Sequence, residues 1–174
     1  GFEACSVKSI SEKLGITRSS FYNAFESREA LFIEALEWYF SGSPDRALSA
    51  VDRDARILKV LTKVFKDVCR ARASDPEARG CMVVNCVAEL VGTDKTLGPV
   101  LEKAILGSLD RLELLLHQAA ENGEIENKGD LREKALALQN LLIGLNVMAK
   151  VVHSENDLWA AARQTLKGLG LYEE

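Results

Sequence analysis

Only three prolines, Pro44, Pro76 and Pro99, interrupt these 174 residues, so long stretches are free to run as helix. No apolar run approaches the ~20 residues of a membrane span, and the chain opens on no signal-peptide pattern. The expectation is a cytoplasmic protein with no membrane partner. Catalytic signatures are missing as well: no nucleophile elbow, phosphate loop, HExxH or acid pair occurs, so no enzyme and no cofactor is expected. The four cysteines form no CxxC or zinc-ligand spacing, and Cys81 and Cys86 would stand roughly 140° apart around a helix. His117 and His153 are far apart in sequence and are read as helix-surface or satisfied core histidines, so no metal is expected either. A net charge of −4 excludes blanket nucleic-acid binding but leaves room for a local basic surface. Four cations against three carboxylates leave residues 1–28 at about +1, a weak steering field.

What is present is concentrated in Val7 to Phe25. Val7, Ile10 and Leu14 recur at helical spacing, with Ser6 placed to cap the first turn. Gly15 tolerates the left-handed conformation of a helix end, and Ile16 can pack back as an apolar plug. Thr17 is a second cap, ahead of Arg18-Ser19-Ser20-Phe21-Tyr22-Asn23, with Phe21 and Phe25 on the inner face. Two short helices around a tight turn form a helix-turn-helix, whose second helix enters the major groove.

Gly1-Phe2-Glu3, Ser6 to Ile10, Leu14-Gly15-Ile16, Arg18 to Phe25 and Ser27 to Phe32 together resemble the tetracycline-repressor (TetR) family of regulators. Arg79-Gly80-Cys81-Met82-Val83-Val84-Asn85 is similar to a recurrent feature of one branch. The resemblance implies a further helix ahead of Gly1, which this chain lacks. It places Arg18, Ser19, Ser20 and Asn23 on the recognition helix and Tyr22 and Arg28 at phosphates, with Ser6 and Lys8 as weaker contacts. In some resembling regulators a cysteine senses electrophiles or oxidants with a lysine nearby; Cys81 and Lys150 hold the matching positions. Arg79 and the dipole of a helix start at Cys81 would favour its thiolate. A small buried hydrophobe is the plainer reading of Cys81, and the expected one for Cys5, Cys69 and Cys86.

The rest of the chain reads as all-α. Ser27 caps a connector helix, about Arg28 to Phe40, whose wide apolar arc includes Leu31, Ala35 and Trp38 beside Phe32, Leu36 and Phe40. Ser41-Gly42-Ser43-Pro44 is the best boundary, giving a helix-turn-helix unit with its connector over 1–43 and a ligand-binding and dimerisation unit over 44–174. Residues 45–53 are ambiguous. Further helices are expected over about 54–73, 81–91, 94–121 (capped by Thr93), 131–152 (with Asp130 and Glu133 as a capping box) and after Ser154. The apolar positions of the first three suggest an effector cavity lined by Phe65, Cys69, Met82, Leu112 and Leu116, with Asn85 or Glu89 orienting the ligand. Asn85 and Glu89, spaced i, i+4, read equally as internal hydrogen-bonders.

Helix 131–152 carries two apolar stripes, one through Leu131, Leu138, Leu142, Leu145 and Ala149, the other through Leu136, Ile143 and Val147. One can join the core; the other needs a partner. A homodimer is expected, with Leu131, Leu138, Leu142, Leu145 and Ala149 joined by Leu158, Ala162 and Leu166 of the last helix at the interface. The combined expectation is an effector-responsive repressor on a palindromic double-stranded operator, released by a small apolar molecule. Two alternatives stand beside it: a thiol-sensing repressor, and a helical dimer binding a ligand or partner without DNA.

Overall fold

The computed structural model describes residues 1–126 and 129–174, and within them the chain is all-α. Helices α1 (Val7–Leu14), α2 (Arg18–Ala24) and α3 (Arg28–Ser41) lead into a 3₁₀ turn (Pro44–Ser49). Then come α4 (Ile57–Ala73), α5 (Met82–Leu90), α6 (Leu97–Glu121), α7 (Leu131–Met148) and α8 (Glu155–Gly168). The ambiguous 45–53 stretch is therefore a tight turn at its start, anchored by the buried Leu48.

Several helix starts differ from the sequence reading because tertiary partners decide them. The Glu124 carboxylate, three residues past the end of α6, accepts the N–H groups of Ile57 at 2.9 Å and Leu58 at 3.0 Å, so α4 begins at Ile57. Asp94 Oδ1 accepts from Thr96 N at 2.8 Å and Leu97 N at 2.7 Å, and α6 starts there. Thr93 is not its cap: the Thr93 hydroxyl donates back to Glu89 O and Leu90 O at the end of α5. Asp130 caps α7 through Arg132 N at 2.8 Å, one residue short of the N3 amide that a capping box uses.

Two cores organise the chain. The larger is built by α4, α6, α7 and α8 around the fully buried Leu61, Phe65, Leu112, Leu116, Leu138 and Leu166. Each such side chain contributes about 1.5–3 kcal/mol by leaving water. The smaller joins Phe2 and α3 (Phe32, Leu36) to α5 (Val83, Cys86, Leu90) and the start of α6 (Leu97, Leu101), with Cys81 between them. Phe2 and Phe32 meet edge to face at 5.0 Å. On the outer stripe of α3, Trp38 is 80% exposed.

The expected interface residues need correction. Leu131, Leu138, Leu142, Leu145, Ala149, Leu158, Ala162 and Leu166 all lie in the larger core of their own chain, none more than 6% exposed. They cannot face a partner. Helical period reveals that α7 has two stripes but not which one the other helices claim. The outward stripe is the other one, where Leu136 and Val147 remain nearly half exposed, with Met148 and Val151 beyond them.

Candidate nucleic-acid interface

The first 25 residues hold their shape through local hydrogen bonds. Ser6 Oγ accepts from Ser9 N at 3.0 Å, and α1 ends on Gly15 at φ +66°. Thr17 Oγ1 accepts from Ser20 N at 3.0 Å and starts α2, while Ser27 Oγ accepts from Ala30 N at 3.0 Å and starts α3. Each cap contributes about 1 kcal/mol, which matters for helices this short. Phe21 is fully buried between them, with Phe25 and Tyr22 each 5.4 Å away. Leu14, read as an inner residue of α1, is instead 59% exposed, and Ser11 takes the inner position.

Burial of Phe21 turns the opposite side of α2 outward. Arg18, Ser19, Tyr22 and Asn23 stand at i, i+1, i+4 and i+5, one contiguous face, and all are exposed. Ser20 is exposed too, but its hydroxyl is 2.8 Å from that of Thr17. Ser6 is committed to capping, and Lys8 Nζ lies 3.8 Å from Glu12 on an open surface. Arg28 is the most constrained of the expected contacts. Its guanidinium lies 3.9 Å over the Phe2 ring and approaches Glu3 at 3.9 Å and Glu29 at 3.5 Å. A phosphate at Arg28 would have to compete with these two carboxylates.

The expected effector residues do not surround one space. Phe65, Cys69, Leu112 and Leu116 are packed into the larger core with no exposed surface, whereas Met82 edges the smaller one. Burial pushes the Cys69 thiol up to about 11. Asn85 and Glu89 also part company. Asn85 donates to Arg79 O at 2.8 Å and accepts from Lys150 Nζ at 3.1 Å. Glu89 accepts from Phe2 N at 3.0 Å and Glu3 N at 2.9 Å, and the Glu3 bond, then the Phe2 bond, hold its carboxyl below the usual range. A carboxylate of α5 thus clamps the segment leading into the helix-turn-helix.

Cys81 sits at the N-terminus of α5, buried, with Tyr39 of α3 beside it. Burial, then the neighbouring thiol, push the Tyr39 phenol up to about 12. Arg79, expected to favour the Cys81 thiolate, pairs with Asp75 at 3.0 Å and draws that carboxyl down to about 2. Two further cations stand near. Arg72 lies 6.0 Å from the Tyr39 ring centre and donates from Nε to the buried Asn146 at 2.5 Å. Lys150 packs along Gly80, where a Cβ would come within 3.1 Å of its Cγ. Tyr39, Arg72 and Asn146 were missed in the sequence. Asn146 alone left a trace, as a polar break in an apolar helix.

Comparison with known proteins agrees with this geometry. A family model described as bacterial regulatory proteins, tetR family, matches residues 1–35, and one described as tetracyclin repressor-like, C-terminal domain, matches residues 58–166. The uncharacterized HTH-type transcriptional regulator YezE of Bacillus subtilis is 23% identical over 152 residues, 87% of this chain and 78% of that protein. The HTH-type transcriptional repressor NemR of Escherichia coli is 24% identical over 160 residues, 88% of this chain and 78% of that one. Among solved structures, a cysteine mutant of the TetR family regulator CifR complexed with 26-base-pair operator DNA superposes with a TM-score of 0.83 at 24% identity. It covers 96% of this chain and 87% of CifR, and it shares the fold. A helix-turn-helix with capped, outward-facing α2 and a matching C-terminal helical domain leave one assignment: this chain belongs to the tetR family of bacterial transcriptional regulators.

Proposed function

We propose that this protein represses transcription by binding a palindromic double-stranded operator as a homodimer, and that an effector acting on its C-terminal helices releases it. The exposed face of α2, with Arg18, Ser19, Tyr22 and Asn23 side by side, carries the DNA part. Arg18 has no carboxylate partner among the described residues, so its guanidinium is free to meet a guanine edge. Dimerisation rests on the outer stripe of α7, Leu136, Ile143 and Val147, which covers itself only across a two-fold axis. Such a dimer presents its recognition helices about 34–36 Å apart, one turn of duplex. Residues 1–43 and 44–174 remain the working division, and the smaller core spans it, so a shift of α5 reaches α3 directly.

The test is operator binding by the full-length protein, followed by fluorescence anisotropy on a palindromic fragment from its own promoter region. Arg18→Ala should cost about 1–3 kcal/mol and relax base preference. Affinity unchanged by Arg18→Ala would remove that residue from the reading surface.

A second reading replaces the small-molecule effector with thiol chemistry at Cys81. It is favoured by the position of Cys81 between Tyr39 of α3 and the Gly80–Lys150 contact with α7. A modified sulfur there would have to displace one of these neighbours. Loss of reagent-triggered operator release in Cys81→Ser tests it.

A further inference from the structure

A groove of about 470 Å³ opens between the last turn of α3, the 3₁₀ turn and the outer face of α6, away from the apolar interior expected to hold an effector. Its volume falls in the range of small-molecule sites. Phe40, Leu48, Val100 and Ala104 give it an apolar lining, and Arg46, Lys103 and Arg111 add three cations. The one carboxylate in the groove, Asp45, is already engaged by the Ser43 hydroxyl.

The spacing along α6 supplies the pattern. Lys103, Gly107 and Arg111 recur every four residues, so the two charges share a face about 12 Å apart along the axis. Gly107 is the low point between them: a Cβ built there would meet nothing within 4 Å among the described residues. Neither Lys103 nor Arg111 has an ion pair or hydrogen bond among the described residues, whereas Arg46 is tied to Ser41 O at 3.1 Å. Unpaired cations at the ends of an apolar trough complement a molecule with an apolar body and an anionic head.

We infer that this groove binds an amphipathic carboxylate, its chain lying over Gly107 against Val100, Ala104 and Leu48 and its head held by Arg111. A guanidinium can grip a carboxylate through two parallel hydrogen bonds, and Lys103 adds to the attraction. Phe40 closes α3 and forms one wall, so an occupant touches the helix that follows the helix-turn-helix. The site deepens the effector reading above, and rests on it only for the consequence at the operator; occupancy itself is read without DNA.

Isothermal titration calorimetry of the full-length protein with decanoate, below its micelle concentration, is the test. Decanoate should bind saturably, one per chain, and decyltrimethylammonium should not. Arg111→Gln should weaken decanoate about ten- to a hundred-fold, the worth of a charged hydrogen bond. Gly107→Leu places a side chain in the trough and favours the helix, so it should abolish binding while the thermal transition stays at or above wild type. No saturable binding, equal binding of the cationic analogue, or full affinity in Gly107→Leu would overturn the site. A protein that takes decanoate but ignores operator DNA would refute the function proposed above and support this site.

Discussion

Gly80→Ala probes how closely α5 is set against α7. Gly80 has φ +71°, and a Cβ there would lie 2.6 Å from the Asn146 carbonyl oxygen, with Lys150 Cγ at 3.1 Å and Cδ at 3.3 Å. Two costs add. A left-handed residue with a Cβ costs about 1–2 kcal/mol. The oxygen belongs to the backbone of α7 and cannot swing aside, so one helix must shift, and overpacking of this kind costs about 1–3 kcal/mol. Stiffening of the unfolded chain offsets about 0.4–1 kcal/mol. The net expectation is a loss of about 1–5 kcal/mol. Gly15→Ala is the internal control: φ is +66°, yet no heavy atom of the described residues lies within 4 Å of the added carbon, so only the backbone cost applies. Urea denaturation followed by circular dichroism gives both values. The excess of Gly80→Ala over Gly15→Ala should be about 1–3 kcal/mol. Equal losses would refute the contact between the Cys81 turn and α7.

The two stripes of α7 should respond in opposite ways. Leu138→Ala, in the core, should cost about 2–5 kcal/mol and leave association intact, whereas Leu136→Glu with Val147→Glu should yield folded monomers that bind operator poorly. Sedimentation velocity separates the cases, and a dimer surviving the double charge would sink the outer-stripe interface. For the thiols, a small electrophile followed by mass spectrometry should label the exposed Cys5 and spare Cys69, which at about 11 holds only about one thiolate per thousand at pH 8. Under the thiol reading Cys81 is labelled too, and Cys81→Ser keeps operator affinity but loses release; unchanged release in that variant would end the reading.

What could be read in advance follows the range of the interactions responsible. Ser6, Thr17 and Ser27 cap helices through bonds spanning three residues, so the helix-turn-helix was legible almost residue by residue. The start of α4 was not, because its cap, Glu124, lies 67 residues downstream of Ile57. The same limit explains the candidate sites. A 3.6-residue period shows that a helix such as α7 has two apolar sides, but only the neighbours in space decide which side the core takes. The apolar runs of α4 and α6 looked like cavity walls because apolar lining and apolar packing have the same composition; Phe65 and Leu112 turned out to be packing. The converse also holds. Lys103 and Arg111 look like ordinary solvent-facing charges until the 3₁₀ turn, which no periodicity marks, lays Leu48 alongside α6 and makes a trough between them. Charge spacing on one helix becomes chemically specific only when a second element supplies the apolar wall.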